Sequence, residues 1–163
     1  MTIRDFASTL AGRAFSGPVA DALAQRGDIL RLSERANEAV IAPRDPGRLD
    51  GVIRLALATR MARLVRADAA AASYRDRLMA VRPSARMLAI ADGAPPDDAF
   101  LSLIVAYADL VTQTPRLATR KHVVTLQKAG MTDTEIVQLA ELIACVNYQT
   151  RLGLGLAALQ ETQ

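Results

Sequence analysis

The stretch RMARLVRADAAAASYRDRL, residues 60–78, constrains this chain more than any other. Its centre, ADAAAASY, favours a helix yet carries almost no functional side chains. Alanine has the best helix propensity and adds only a methyl group, so such a helix can lie very close to a neighbour. Two readings follow. The segment is a packing helix, or it is a site whose reactive groups have been replaced.

The rest of the chain extends the same theme. Apolar residues make up 51% of its 163 positions, aromatics only 4%, and there is no Trp. The core must then come from Ala, Leu, Ile and Val, which suits closely packed helices. The length fits one domain that can bury a core without disulfides or metals. The chain has no alternating strand pattern, glycine-rich phosphate loop or repeat of about 20–50 residues. The expected fold class is all-α, with six to eight helices and short connections.

Start and stop signals place these helices. Residues 18–26 open on Pro18 and stop at Gly27, and residues 28–41 carry Ile29, Leu32, Ala36, Ala39 and Val40 at helical spacing. Asp50 suits an N-cap for a region 51–79, as one helix or as two with a break near Val65–Asp68. Prolines 83, 95 and 96 mark a loop with a helical turn over 84–90. Asp97 or Asp98 caps a helix through Gln113, and Thr114-Pro115 opens another over 115–129, stopped by Gly130. Thr132 and Glu135 form a capping box for the last and longest helix. On it Ile136, Ala140, Ile143, Asn147 and Arg151 share one face, which sets Asn147 among apolar neighbours as a structural amide or a pocket-lining group.

Composition narrows the functions. The net charge is +3, and its 20 cationic residues, all Arg except Lys121 and Lys128, are scattered among 17 acids. No basic stripe with interleaved aromatics marks a nucleic-acid surface. The N-terminus has charges at Arg4 and Asp5 and no signal-peptide core. No uncharged apolar run reaches the ~18 residues of a membrane span, so a cytoplasmic protein without membrane contact is expected. A single cysteine, Cys145, allows no intrachain disulfide and reads as a small buried hydrophobe. A single histidine, His122, in the cluster RKH, cannot build a histidine-rich metal centre and reads as solvated near a helix start. Neither a metal nor a cofactor is expected.

The segments LIVAYADLVTQTP and LATRKHVVTLQKAGMTDTEIVQLAELIACVNYQTRL resemble the carboxymuconolactone decarboxylase/alkylhydroperoxidase D-like superfamily, in its peroxidase-related branch. Tyr107-Ala108, Thr112, Pro115, Ala129-Gly130, Asp133, Ile136, Ala144, Asn147 and Arg151 fit that branch's C-terminal phrase. The resemblance covers residues 45–159 and implies an alkylhydroperoxidase D-like helical bundle, with residues 1–44 as a helical extension of the same single domain. In the family's helix pair, "RExxxLxxAxxxxCxxCxxxH", the alignment falls on Arg54 and Ala62. The glutamate position is then Leu55, the two cysteine positions are Ala67 and Ala70, and the histidine position is Tyr74.

Active relatives gain thiolate character at the helix start and resolve a sulfenic acid as a disulfide. Alanine supplies neither thiol, and tyrosine is a poor base at neutral pH. The resemblance therefore implies a catalytically degenerate protein acting as a scaffold or partner subunit. The alternative is a small-molecule binder or cysteine-independent enzyme in the ancestral pocket, using Asp68, Tyr74, His122, Asn147 and Arg151. Decarboxylase-type relatives would need their acid and base at Leu55 and Tyr74. Residual peroxide reduction would fall to Cys145 alone. The bland roles are helix packing for Tyr74, an N-cap for Asp68, an internal contact for Arg151, and core or subunit contacts for Met61, Met79 and Met87. The apolar excess, with Val52, Ile53, Leu55, Leu57 and Met61 on several faces, and the family's assemblies both point to a homo-oligomer, a dimer, trimer or hexamer, through the 51–79 region.

Overall fold

A computed structural model describes residues 3–162 as helices and short connections, with no strand among them. The helices are α1 (Ile3–Ala11), α2 (Gly17–Gln25), α3 (Gly27–Ile41), α4 (Gly51–Leu64), α5 (Asp68–Ala80), α6 (Ala85–Ala91), α7 (Ala99–Gln113), α8 (Arg120–Lys128) and α9 (Asp133–Glu161). The all-α expectation holds, with nine α-helices among the described residues in place of six to eight, because the 51–79 region is two helices and α1 precedes the first one expected. No helix among the described residues is long and apolar enough to cross a membrane.

Local chemistry sets most boundaries. The carboxylates of Asp50 and Asp98 accept from the backbone N–H groups of Ile53 at 2.8 Å and Leu101 at 2.7 Å. Thr132 and Glu135 form the reciprocal capping box of α9, a helix about 43 Å long. The 51–79 region is two helices. Arg66 adopts φ +58°, and Ala67 N–H reaches back to the carbonyl of Ala62 at 2.9 Å, the closure of a left-handed helix end. Thr114-Pro115 does not open a long helix. Pro115–Leu117 is a single 3₁₀ turn, and α8 starts afresh after Thr119.

Helix α4 lies at the centre, packed by α5, α6, α7 and α9. Arg54, Leu55, Ala56, Leu57, Ala58, Thr59, Met61 and Ala62 are all buried, so α4 is inside on nearly every face. This answers the apolar excess of the 51–79 region differently from the sequence reading. Leu55, Leu57 and Met61 are covered within one chain, and Val52 and Ile53 pack against the same core. Within that region only Met79, near the end of α5, is a large apolar side chain left exposed; the others lie outside it, among them Val81 just beyond, Ile29 and Leu32 on α3, and Tyr148 and Leu159 on α9. Of the other methionines, Met61 is core and Met87 packs against it.

Two arginines tie the centre to its surroundings. Arg54, 1% exposed, donates to the carbonyls of Leu49 at 2.5 Å, Val40 at 3.0 Å and Pro46 at 3.3 Å, and to Gln138 Oε1 at 2.7 Å. Arg60 grips Asp109 of α7 at 2.8 Å and the carbonyls of Ile90 and Ala94.

The alanine run proves to be a packing surface. Ala67, Ala70 and Ala71 are buried in the main core. On the next face α1 comes so close that a Cβ on Gly12 would stand 2.7 Å from the Cβ of Ala69. At the other side of α1, a Cβ on Gly153 of α9 would meet the carbonyl oxygen of Leu10 at 2.5 Å. Alanine on α5 and glycine on α9 thus let α1 lie between them.

Candidate functional site

Helix α3 turns a polar face inward. Its buried residues are Leu30, Ser33, Asn37 and Ile41, at helical spacing. Of the stripe Ile29, Leu32, Ala36, Ala39 and Val40, the first four point outward and only Val40 packs against the core. The reason lies on the helices opposite. Tyr74 of α5 and Gln149 of α9 are buried polar groups, and only polar side chains from α3 can pair with them.

The network closes on itself. The Asn37 amide donates to Tyr74 Oη at 2.5 Å and to Gln149 Oε1, and the Tyr74 hydroxyl donates to Gln149 Oε1 at 2.9 Å. Gln149 Nε2 donates to the carbonyl of Ser33 at 3.0 Å and leans on Cys145 Sγ at 3.6 Å. Asn37 Oδ1 accepts from Arg77, whose other nitrogen pairs with Glu38 at 3.1 Å. The Ser33 hydroxyl spends its hydrogen on the carbonyl of Ile29, so the Tyr148 hydroxyl donates to it at 3.1 Å. No buried side-chain nitrogen or oxygen among the described residues is left without a partner.

This arrangement fixes the chemistry of Tyr74. Burial pushes its phenol well above the ordinary tyrosine range, against the opposing hydrogen bond from Asn37. It stays neutral at any physiological pH and works as a hydrogen-bonding group, not as a base. Burial also pushes the Cys145 thiol up, so a thiolate is disfavoured there.

Three of the remaining positions aligned by resemblance hold hydrocarbon. Ala67 is the N-cap residue of α5 and Ala70 lies in its first turn, 2% and 0% exposed. A CxxC pair would sit at a helix start, where a thiolate gains from the N–H groups. Leu55, 5% exposed, belongs to the same core cluster as Ala67, Ala70 and Tyr74.

Matched against protein-family models, curated proteins and solved structures, the chain finds no counterpart. The site has to be read from its own geometry.

The other candidate residues do not converge on Tyr74. Asp68 is not a cap; it is the exposed first residue of α5, and Ala67 precedes it without a side-chain cap. His122 is half-buried at the start of α8, where Nδ1 accepts from the Thr119 N–H at 3.0 Å, and its ring lies 6.5 Å from that of Tyr107. Asn147 donates to Thr112 Oγ1 at 3.1 Å and to the carbonyl of Ile143 at 2.9 Å, while Arg151 binds Asn147 and the carbonyl of Thr112. These two residues join α7 to α9. Among the described residues no three His, Cys, Asp or Glu side chains are grouped to hold a metal ion.

Ser33, Asn37 and Gln149 escaped the sequence reading. One signal was available for Gln149. The buried arc of α9 runs Leu139, Leu142, Val146, Gln149 and Gly153, in steps of three and four. The stripe through Ala140, Asn147 and Arg151 is rotated toward its edge, and Ala140 and Arg151 are exposed.

Proposed function

We propose that this chain is a catalytically degenerate protein of the alkylhydroperoxidase D-like type, which acts by association as an oligomeric scaffold or partner subunit. One observation carries the reading. The helix start that would hold a redox pair is filled by the buried methyl groups of Ala67 and Ala70, beside a tyrosine whose hydroxyl is committed to Asn37 and Gln149. Cys145 has no second cysteine to resolve a sulfenic acid.

Association would use the end of α5. Met79 and Val81 are each 50% exposed there, next to a recess lined by Ile41, Val52 and Leu55. Light scattering at micromolar concentration tests this, with an expected mass at a multiple of 17.5 kDa. Met79→Glu, an exposed substitution that leaves the core intact, should return the mass to one chain. A mass near 17.5 kDa for the unaltered protein, or dithiol-driven peroxide turnover that disappears in Cys145→Ser, would overturn the reading.

A further inference from the structure

A cleft of about 650 Å³ opens beside Tyr74, between α1, α3 and α5. That volume lies within the range of small-molecule sites. Its walls are mostly apolar, formed by Phe6, Leu10, Ala69, Ala70 and Ala72, with Thr9 and Ser73 among them. Its floor is the Asn37–Tyr74–Gln149 network.

The floor restricts what can bind. Both amide hydrogens of Asn37, both of Gln149 and the hydroxyl hydrogen of Tyr74 are already donated within the protein. Gln149 Oε1 accepts two of these bonds. The remaining capacity is a lone pair on Tyr74 Oη, which accepts only from Asn37, and one on Asn37 Oδ1, which accepts only from Arg77. The floor therefore offers acceptors and no donor.

The rim points the same way. Glu34, Glu38 and Asp76 face the cleft against one cation, Arg77, which is turned onto Asn37 and Glu38. The described lining thus carries an excess of negative charge on a chain whose net charge is +3. A cleft with low-dielectric walls focuses such a field and concentrates ions of opposite sign.

We infer that the cleft binds an organic cation with an apolar body, an alkylamine or alkylammonium whose tail lies along the alanine wall of α5 and whose head is held by the rim carboxylates. This goes beyond the scaffold reading and is independent of oligomeric state.

The test is a titration of the full chain followed by amide NMR shifts, with n-octylammonium, n-octanol and n-octanoate as probes of equal length. Saturable shifts at Ala69, Ala72 and Ser73 are expected, with octylammonium binding about tenfold tighter than octanoate and octanol between them. Glu34→Gln with Asp76→Asn should weaken octylammonium about fivefold and leave octanol unchanged. Ala72→Trp, which fills the cleft from an exposed position, should abolish all three while melting like the unaltered chain. Octanoate binding as tightly as octylammonium would overturn the inference. So would shifts confined to Leu152 and Leu156, which line a second, apolar groove among α2, α3 and α9, or no saturation at millimolar probe.

Discussion

Replacing Arg54 by Met tests how the site is held in place. Arg54 reaches from α4 to the last turn of α3, to the connection before α4 and to Gln138 of α9. Methionine keeps most of the apolar stem and removes the guanidinium. Four acceptors then lose a charged donor, at about 1–3 kcal/mol for each that stays buried. Burial pulls the Arg54 pKa down, with Glu141 and Asp50 opposing, so part of the loss is recovered when the charge is no longer desolvated. Water also reaches the carbonyls of Val40 and Pro46, which belong to half-buried residues. The net loss expected is about 3 kcal/mol, or a fall in Tm of roughly 6–12 °C for a chain of this size. Arg54→Lys should do little better, because one ammonium cannot span carbonyls on three sides. Urea unfolding followed by circular dichroism measures both variants. A loss below about 1 kcal/mol for Arg54→Met would refute the view that these bonds fix α3 over α5.

Three further outcomes follow from other contacts. Gly153→Ala should cost about 1–3 kcal/mol and raise hydrogen exchange in α1, because the new methyl group meets the Leu10 carbonyl; unchanged protection of α1 would contradict this. Glu135 is held down to about 2 by N–H donors from Thr132 and Arg48. Its folded pKa lies below its unfolded value, so its contribution, about 2 kcal/mol, is present above pH ~4.5 and disappears as pH falls toward 2. Glu135→Gln should flatten the stability profile in that window, and an unchanged acid limb would count against the assignment. Ala67→Cys with Ala70→Cys should form an intrachain disulfide under mild oxidant and leave only Cys145 free, since the spacing across a first helical turn suits one; mass spectrometry showing three free thiols would reject the proposed alignment.

Much of the fold is written in local signals. Asp50, Asp98 and the Thr132–Glu135 box act within four residues of themselves, and the break after Leu64 follows from a helix end closed over Arg66. The 115–129 region shows the limit of such signals. Proline suits a first helical turn, but it suits a 3₁₀ turn equally, and Thr119 supplies a better cap one turn later. The facing of α3 was not legible. Ile29 and Leu32 make the stronger apolar stripe, yet Asn37 turns inward because Tyr74 and Gln149 stand 37 and 112 residues away. The site depends on these distant partners. Its alanines were legible as residues, while their part in admitting α1 depends on Gly12 and Gly153, at the two ends of the chain.

That docking of α1 has a consequence for how the molecule is made. Ser16, just after α1, bonds to Gln160 across 144 residues, and α1 itself packs chiefly on α9 and α5. During synthesis α1 therefore emerges long before the helix it rests on exists. Its apolar face, with Phe6, Ala7 and Leu10, can meet α3 and α5 first but is fully covered only once α9 has been made. Closing so long a loop late makes the docking of α1 a slow step in assembly. The cleft beside Tyr74, with α1 as one wall and Gln149 in its floor, is complete only when the two ends of the chain have met.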